Sequence, residues 1–153
     1  MTPIKEVTIT RIFNAPCELV YKAFTNGEML MAWWGPHGFT NPDCEMDASV
    51  NGKWKINMTA PQFGFHESWC HGVFLEMISN EKLVFATRAF IHEDGTAGIE
   101  GMNTIILEDE NGKTKLTLHA SLVKLDDGLE GAAADMEQGW SESFEKLSVL
   151  ITQ

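Results

Sequence analysis

A chain of 153 residues with 44% hydrophobic and 22% charged residues has enough apolar material to bury the core of one soluble domain over 1–153. Its formal net charge of −11 leaves no basic patch for phosphate contacts, which argues against nucleic acid as a partner. No apolar run reaches the roughly 18 residues of a membrane span. Residues 1–6 carry no signal-peptide core, and Cys17, Cys44 and Cys70 form no C-x-x-C pair. These features predict reduced thiols in a cytoplasmic protein.

Val7, Ile9, Arg11 and Phe13 alternate with Thr8, Thr10 and Ile12, a β-branched strand pattern that Asn14-Ala15-Pro16 breaks. Pro16 suits a first helical turn, and Leu19, Val20, Ala23 and Phe24 supply an apolar stripe at helical spacing. Asn26-Gly27 closes that helix and opens a second, Glu28 to Trp34. This one must stop at Gly35-Pro36, because proline lacks the N–H and restricts the residue before it. Trp33 and Trp34 therefore stand at a helix end, each able to bury roughly 150–250 Å². They plug a core or they line a cavity.

Strands follow. Thr40 to Asp47 turns at Val50-Asn51-Gly52, a hairpin signal, into Lys53 to Thr59, where Trp54, Ile56 and Met58 share a face. Glu67 to Ile78 and Lys82 to Ala89 are joined by Ser79-Asn80-Glu81. Gly98 to Leu107 and Lys113 to Leu122 form a hairpin around Asp109-Glu110-Asn111-Gly112. Asp127-Gly128-Leu129-Glu130 has the form of a capping box for a long final helix. On that helix Met136, Trp140, Phe144, Leu147 and Ile151 recur every three or four residues. The order predicts an α+β fold, with helices covering one face of an antiparallel sheet.

In order and spacing these residues resemble the SRPBCC (START-like, birch-allergen-like) superfamily, in the branch of homologues of the heat-shock-protein ATPase activator. The resemblance is carried by Arg11-Ile12-Phe13-Asn14-Ala15-Pro16 with Glu18-Leu19-Val20, and by Ala32-Trp33-Trp34-Gly35-Pro36 with Gly38-Phe39. Cys44-Glu45-Met46-Asp47, Gly72 to Glu76 with Leu83-Val84-Phe85, and Lys113 to Leu118 complete it. It implies a helix-grip fold: a curved antiparallel sheet of about six to seven strands, two short helices after the first, and a long C-terminal helix over an apolar cavity. It implies no particular reaction, since the fold serves binding proteins, cyclases and co-chaperone modules alike.

The expected ligand-binding residues are Trp33, Trp34, Phe39, Trp54, Met58, Trp69, Phe85, Met102, Met136, Trp140 and Phe144, with Asn103 and His71 as polar groups. Trp140 is expected to face the concave sheet as one wall. Glu67 and His71, expected on the cavity side of their strand, are the one acid/base pair to consider. His66 and Cys70 share a face, but no second pair follows at ligand spacing, so neither metal nor cofactor is expected. Of the other histidines, His119 falls on a polar strand face, His92 in a turn, and His37 beside the tryptophan pair. Gly139-Trp140-Ser141-Glu142-Ser143 lacks the second glycine of a nucleophile elbow and lies within a helix. The expected function is binding of a hydrophobic or aromatic small molecule, without a defined reaction, by a monomer or homodimer. The alternatives are a cyclase- or hydratase-type enzyme acting in the same cavity, and a co-chaperone-like module that stimulates a chaperone ATPase.

Overall fold

The computed structural model describes residues 3–152. β1 (Lys5–Phe13) leads into α1 (Cys17–Thr25) and α2 (Gly27–Trp33), which meet at Asn26. Asn26 ends the first helix in an extended conformation and caps the second, its Oδ1 accepting the Met29 backbone N–H at 3.0 Å. A meander follows: β2 (Thr40–Met46), β3 (Lys53–Thr59), β4 (Trp69–Ile78), β5 (Lys82–Ile91), β6 (Ala97–Glu110) and β7 (Lys113–Leu125). The seven strands form one antiparallel sheet in the order β1-β7-β6-β5-β4-β3-β2. β1 and β2 are thus opposite edges, and α1 and α2 carry the chain between them. Pro42 sits on the β2 edge at a register shift, where its missing N–H breaks no ladder bond. Asn51, Asn80 and Asn111 take left-handed φ values of 67°, 65° and 56° in the turns, which asparagine tolerates better than most residues.

One face of the sheet supplies the core. Ile9, Phe85, Ile105, Leu116 and Leu118 are buried there beneath α1, α2 and Phe144, Leu147 and Ile151 of the C-terminal helix. A curved antiparallel sheet closed on a C-terminal helix is the helix-grip arrangement. The final helix differs from the sequence-based expectation. It is two pieces, α3 (Glu130–Ala134) and α4 (Met136–Ile151), broken at Asp135. Leu129 stands at the N-cap of α3 and no side chain caps it, so Asp127-Gly128-Leu129-Glu130 is not a capping box. Gly128, at φ 93°, turns the chain instead. The small side chains of Gly131, Ala132, Ala133 and Ala134 give α3 little surface with which to pack in line with α4.

Gly72 on β4 is the closest approach in the sheet. A Cβ there would overlap the Trp54 indole, which crosses from the adjacent β3. We expect Gly72→Ala to lower unfolding free energy by about 3 kcal/mol, through overpacking. Gly139→Ala, a helical position with nothing near its missing Cβ, should instead stabilise by about 0.5–1 kcal/mol. Urea unfolding of both variants checks the opposite signs.

Candidate functional site

The core is closely filled at one end and open at the other, and the two tryptophans of α2 mark the change. Trp33 is fully buried, its Nε1 donating to the Ala23 carbonyl at 3.0 Å and its ring meeting Phe24 edge-on at 4.8 Å. Trp34 is the C-cap of α2, with an extended backbone (ψ 137°) that directs the chain away from the helix. Its ring meets Trp54 at 5.4 Å, Trp140 at 5.5 Å and Phe85 at 6.5 Å, edge-on to the first two. Beyond Trp34, between the sheet and α3–α4, lies a cavity of about 610 Å³, within the usual range for a small-molecule site.

Of the residues expected from sequence, Trp34, Phe39, Met58, Trp69, Asn103, Met136 and Trp140 border this cavity. Trp33, Trp54, Phe85 and Phe144 do not; they fill the core behind Trp34. Met102 is a correction. Asn103, Ile105 and Leu107 take the inward parity of β6, which leaves Met102 on the outer face, 38% exposed. His71 and Glu67 are a second correction. Cys70, Gly72 and Phe74 take the inward parity of β4, and at Gly72 only a bare backbone leaves room for the Trp54 indole. His71 therefore lies outside, flanked by Lys55 and Arg88, its strand partners. Burial first, then these two cations, lowers its pKa. Glu67 is exposed and accepts the Trp69 Nε1–H at 2.5 Å, and Lys55 Nζ lies 4.8 Å from the Trp69 ring. Trp69 thus borders the cavity at its rim while its ring lies on the outer side.

The remaining walls were not anticipated. Phe65 and Phe39 pair at 5.3 Å across the mouth. Phe90 borders the opposite side in a left-handed conformation (φ 55°), strained for a bulky residue. Gly98, across the ladder, gives it space: a Cβ there would lie 3.1 Å from Phe90 Cβ and 2.8 Å from Leu129 Cδ1. Beside Met136 and Trp140, the helical wall is made of small residues, Gly131, Ala132, Gly139 and Ser143. Their three- and four-residue spacing with Asp135 was the signal available in the sequence.

Polar contacts fix the loop that carries Trp34. Gly35 takes φ 93° beneath Met58, whose Cε would stand 3.1 Å from a Cβ. Lys146 on α4 donates to the carbonyls of Trp34 at 3.3 Å and Pro36 at 3.5 Å, and Asn41 Nδ2 donates to Trp34 O at 2.8 Å. An ammonium at a helix C-terminus is placed favourably for the macrodipole. Burial lowers the Lys146 pKa while Glu142 opposes the shift. Glu142 accepts the His37 backbone N–H at 2.9 Å, and His37 Nε2 reaches Glu145 at 3.0 Å. The Gln138 side chain first, and this N–H second, hold the Glu142 carboxyl below its ordinary range. Among the described residues the ionisable side chains bordering the cavity are Cys70 within it and Asp135, exposed at its rim, and burial pushes the Cys70 thiol up to about 12. Among the described residues no three His, Cys, Asp or Glu side chains converge as a metal site would require.

The sequence matches the family described as Activator of Hsp90 ATPase homolog 1-like protein over residues 14–152. The chain belongs to that family. Solved structures share its fold. A Chromobacterium violaceum protein matches with a TM-score of 0.77 at 23% identity, over 97% of each chain. A Nitrosomonas europaea protein matches at 0.79 and 20% identity, over 97% of this chain and 94% of its own. An Arthrobacter aurescens protein matches at 0.78 and 21% identity, over 96% and 86%. No curated protein matches. Among the described residues no helix is long and apolar enough to cross a membrane.

Two expectations follow from the packing. Trp140 is half-buried at the cavity edge, whereas Leu147 is fully enclosed. Trp140→Ala should therefore cost about 1–2 kcal/mol, below the usual range for a packed tryptophan, and Leu147→Ala about 3 kcal/mol or more. Thermal melts give both values. The Cys70 thiol has a raised folded pKa, so the stability it contributes is intact below about pH 9. That contribution is lost as pH rises towards about 12. Urea titrations across that alkaline window should show a shallower decline for Cys70→Ala than for the parent chain.

Proposed function

We propose that this member of the Activator of Hsp90 ATPase homolog 1-like family binds a hydrophobic or aromatic small molecule in the cavity beyond Trp34. On this reading residues 1–153 act as one START-like unit in the cytoplasm, as a monomer or homodimer, and catalyse no defined reaction. The observation that carries it is the cavity's lining. Trp34, Phe39, Met58, Met136 and Trp140 offer aromatic and flexible apolar surface, with a few polar groups among them. A cyclase- or hydratase-type reaction through Glu67 and His71 lacks this support, because both side chains stand outside the cavity.

A second reading is favoured by the family's description: a module that docks on a chaperone and stimulates its ATPase. The acidic side chains exposed along α4, Glu137 and Glu145, would face a basic partner. Binding of that kind should weaken steeply with salt, as exposed charges are screened.

Intrinsic fluorescence separates the readings, since Trp34 and Trp140 both border the cavity. A panel of flavonoids, polyketide-like aromatics and long-chain alcohols should include compounds that quench it saturably. Trp140→Phe should remove at least about a third of that quenching while preserving binding, because aromatic rings substitute well in apolar pockets. Quenching by no compound, together with salt-sensitive capture of a chaperone ATPase, would replace the first reading with the second.

A further inference from the structure

We infer that the ligand is uncharged and largely apolar, and that it carries a hydroxyl which donates its hydrogen bond to Asn103 Oδ1; this rests on reading the cavity as a small-molecule site. Asn103 stands on β6, is 3% exposed, and borders the cavity. Its Nδ2 donates to the Phe85 carbonyl and to Thr87 Oγ1, each at 3.3 Å. A backbone carbonyl can only accept, so the amide nitrogen must be the atom that faces Phe85. Both its N–H groups are then engaged. The Oδ1 accepts no hydrogen bond from the described residues. Unlike Asn41 Oδ1, which is enclosed without a partner, it is not sealed from open space. An acceptor with fixed orientation at an apolar cavity wall selects a donor.

The charge of the lining selects which donor. Among the described residues no Lys, Arg or His borders the cavity. Two ammonium groups close by in the fold are committed elsewhere, Lys146 to the Trp34 and Pro36 carbonyls and Lys5 to the Ala133 carbonyl at 2.8 Å. A carboxylate or phosphate would enter without a counter-charge, which desolvation makes costly. An ammonium would find one carboxylate, Asp135, and that residue is exposed at the rim. Inside, it would have a single amide oxygen for several N–H donors. A neutral hydroxyl needs only the one acceptor that Asn103 presents.

Calorimetric titration of the full chain near neutral pH with four naphthalenes tests this. The probes are 2-naphthol, 2-methoxynaphthalene, 2-naphthoate and 2-naphthylmethylammonium. 2-Naphthol should bind about fivefold tighter than 2-methoxynaphthalene, which keeps the shape and oxygen but lacks the donor. It should bind at least about tenfold tighter than either ion. Asn103→Leu should bring 2-naphthol down to the level of 2-methoxynaphthalene and leave the latter unchanged, which also reports that the variant is folded. Equal affinity for 2-naphthol and 2-methoxynaphthalene in the parent chain, or equal affinity for either ion, overturns the inference and leaves the cavity reading standing. Binding of none of the four overturns both.

Discussion

The structure turns on the helix stop at Gly35-Pro36. Proline denies α2 a further turn, and Gly35, at φ 93°, supplies a reversal that an L side chain resists. Because the helix ends between two tryptophans, adjacent residues meet different backbone conditions. Trp33 is still helical and projects into the closed core, where its N–H finds the Ala23 carbonyl. Trp34 is extended, and its ring stands across the interior as a partition. One residue of extra helix would rotate Trp34 by about 100° and remove the partition, since an α-helix completes a turn in about 3.6 residues.

A partition in a protein interior needs support from both sides, because interiors otherwise collapse to crystal-like density. On the closed side Trp54 and Phe85 hold the Trp34 ring, and the bare backbone of Gly72 lets the Trp54 indole lie flat against β4. On the open side Trp140 meets it edge-on. The backbone behind is pinned by Lys146 and Asn41, and the following loop by Glu142 and His37. These groups come from β2, β3, β4, β5, α4 and the loop before β2, so no single element positions the wall. The same dependence on a neighbour holds in β4, where Gly72 faces inward against the Trp54 indole of β3.

The legible and illegible parts of the sequence divide along the same line. Local rules found the elements: Asn26 at the helix junction, the Asn-Gly turns, the alternation of β3 and β7, and the helical recurrence of Phe144, Leu147 and Ile151. They failed where a decision belonged to another strand. Trp69 and His71 look inward by size and chemistry, yet Cys70 and Gly72 take the inward parity, and at Gly72 the Trp54 indole takes the space. Met102 follows the same logic, displaced by the inward Asn103. The capping-box pattern at Asp127 to Glu130 met a chain already turning at Gly128, and a helix too small-sided to hold its line. Aromatic residues announced the site as a group, but size alone could not separate those that fill the core from those that border the cavity.

The contrast between surface and interior gives the fold its chemical character. Asp and Glu outnumber Lys and Arg by 22 to 11 in the chain, yet among the described residues the cavity lining holds one carboxylate, at its rim, and no cation. Long-range attraction falls away within a Debye length at physiological salt, roughly 8 Å. The surface field therefore acts on approach, while the lining acts on entry. For a cation the two act in opposite directions, drawing it to the exterior and then offering little in exchange for its hydration. For an anion both are unfavourable. A neutral apolar molecule would be indifferent to the first and favoured by the second, because Trp34, Met136 and Trp140 offer it apolar surface in place of water. The pinned loop and the propped partition hold this wall in place, so a molecule bound as proposed would demand little ordering of it and would keep more of the free energy of burying its apolar surface as affinity.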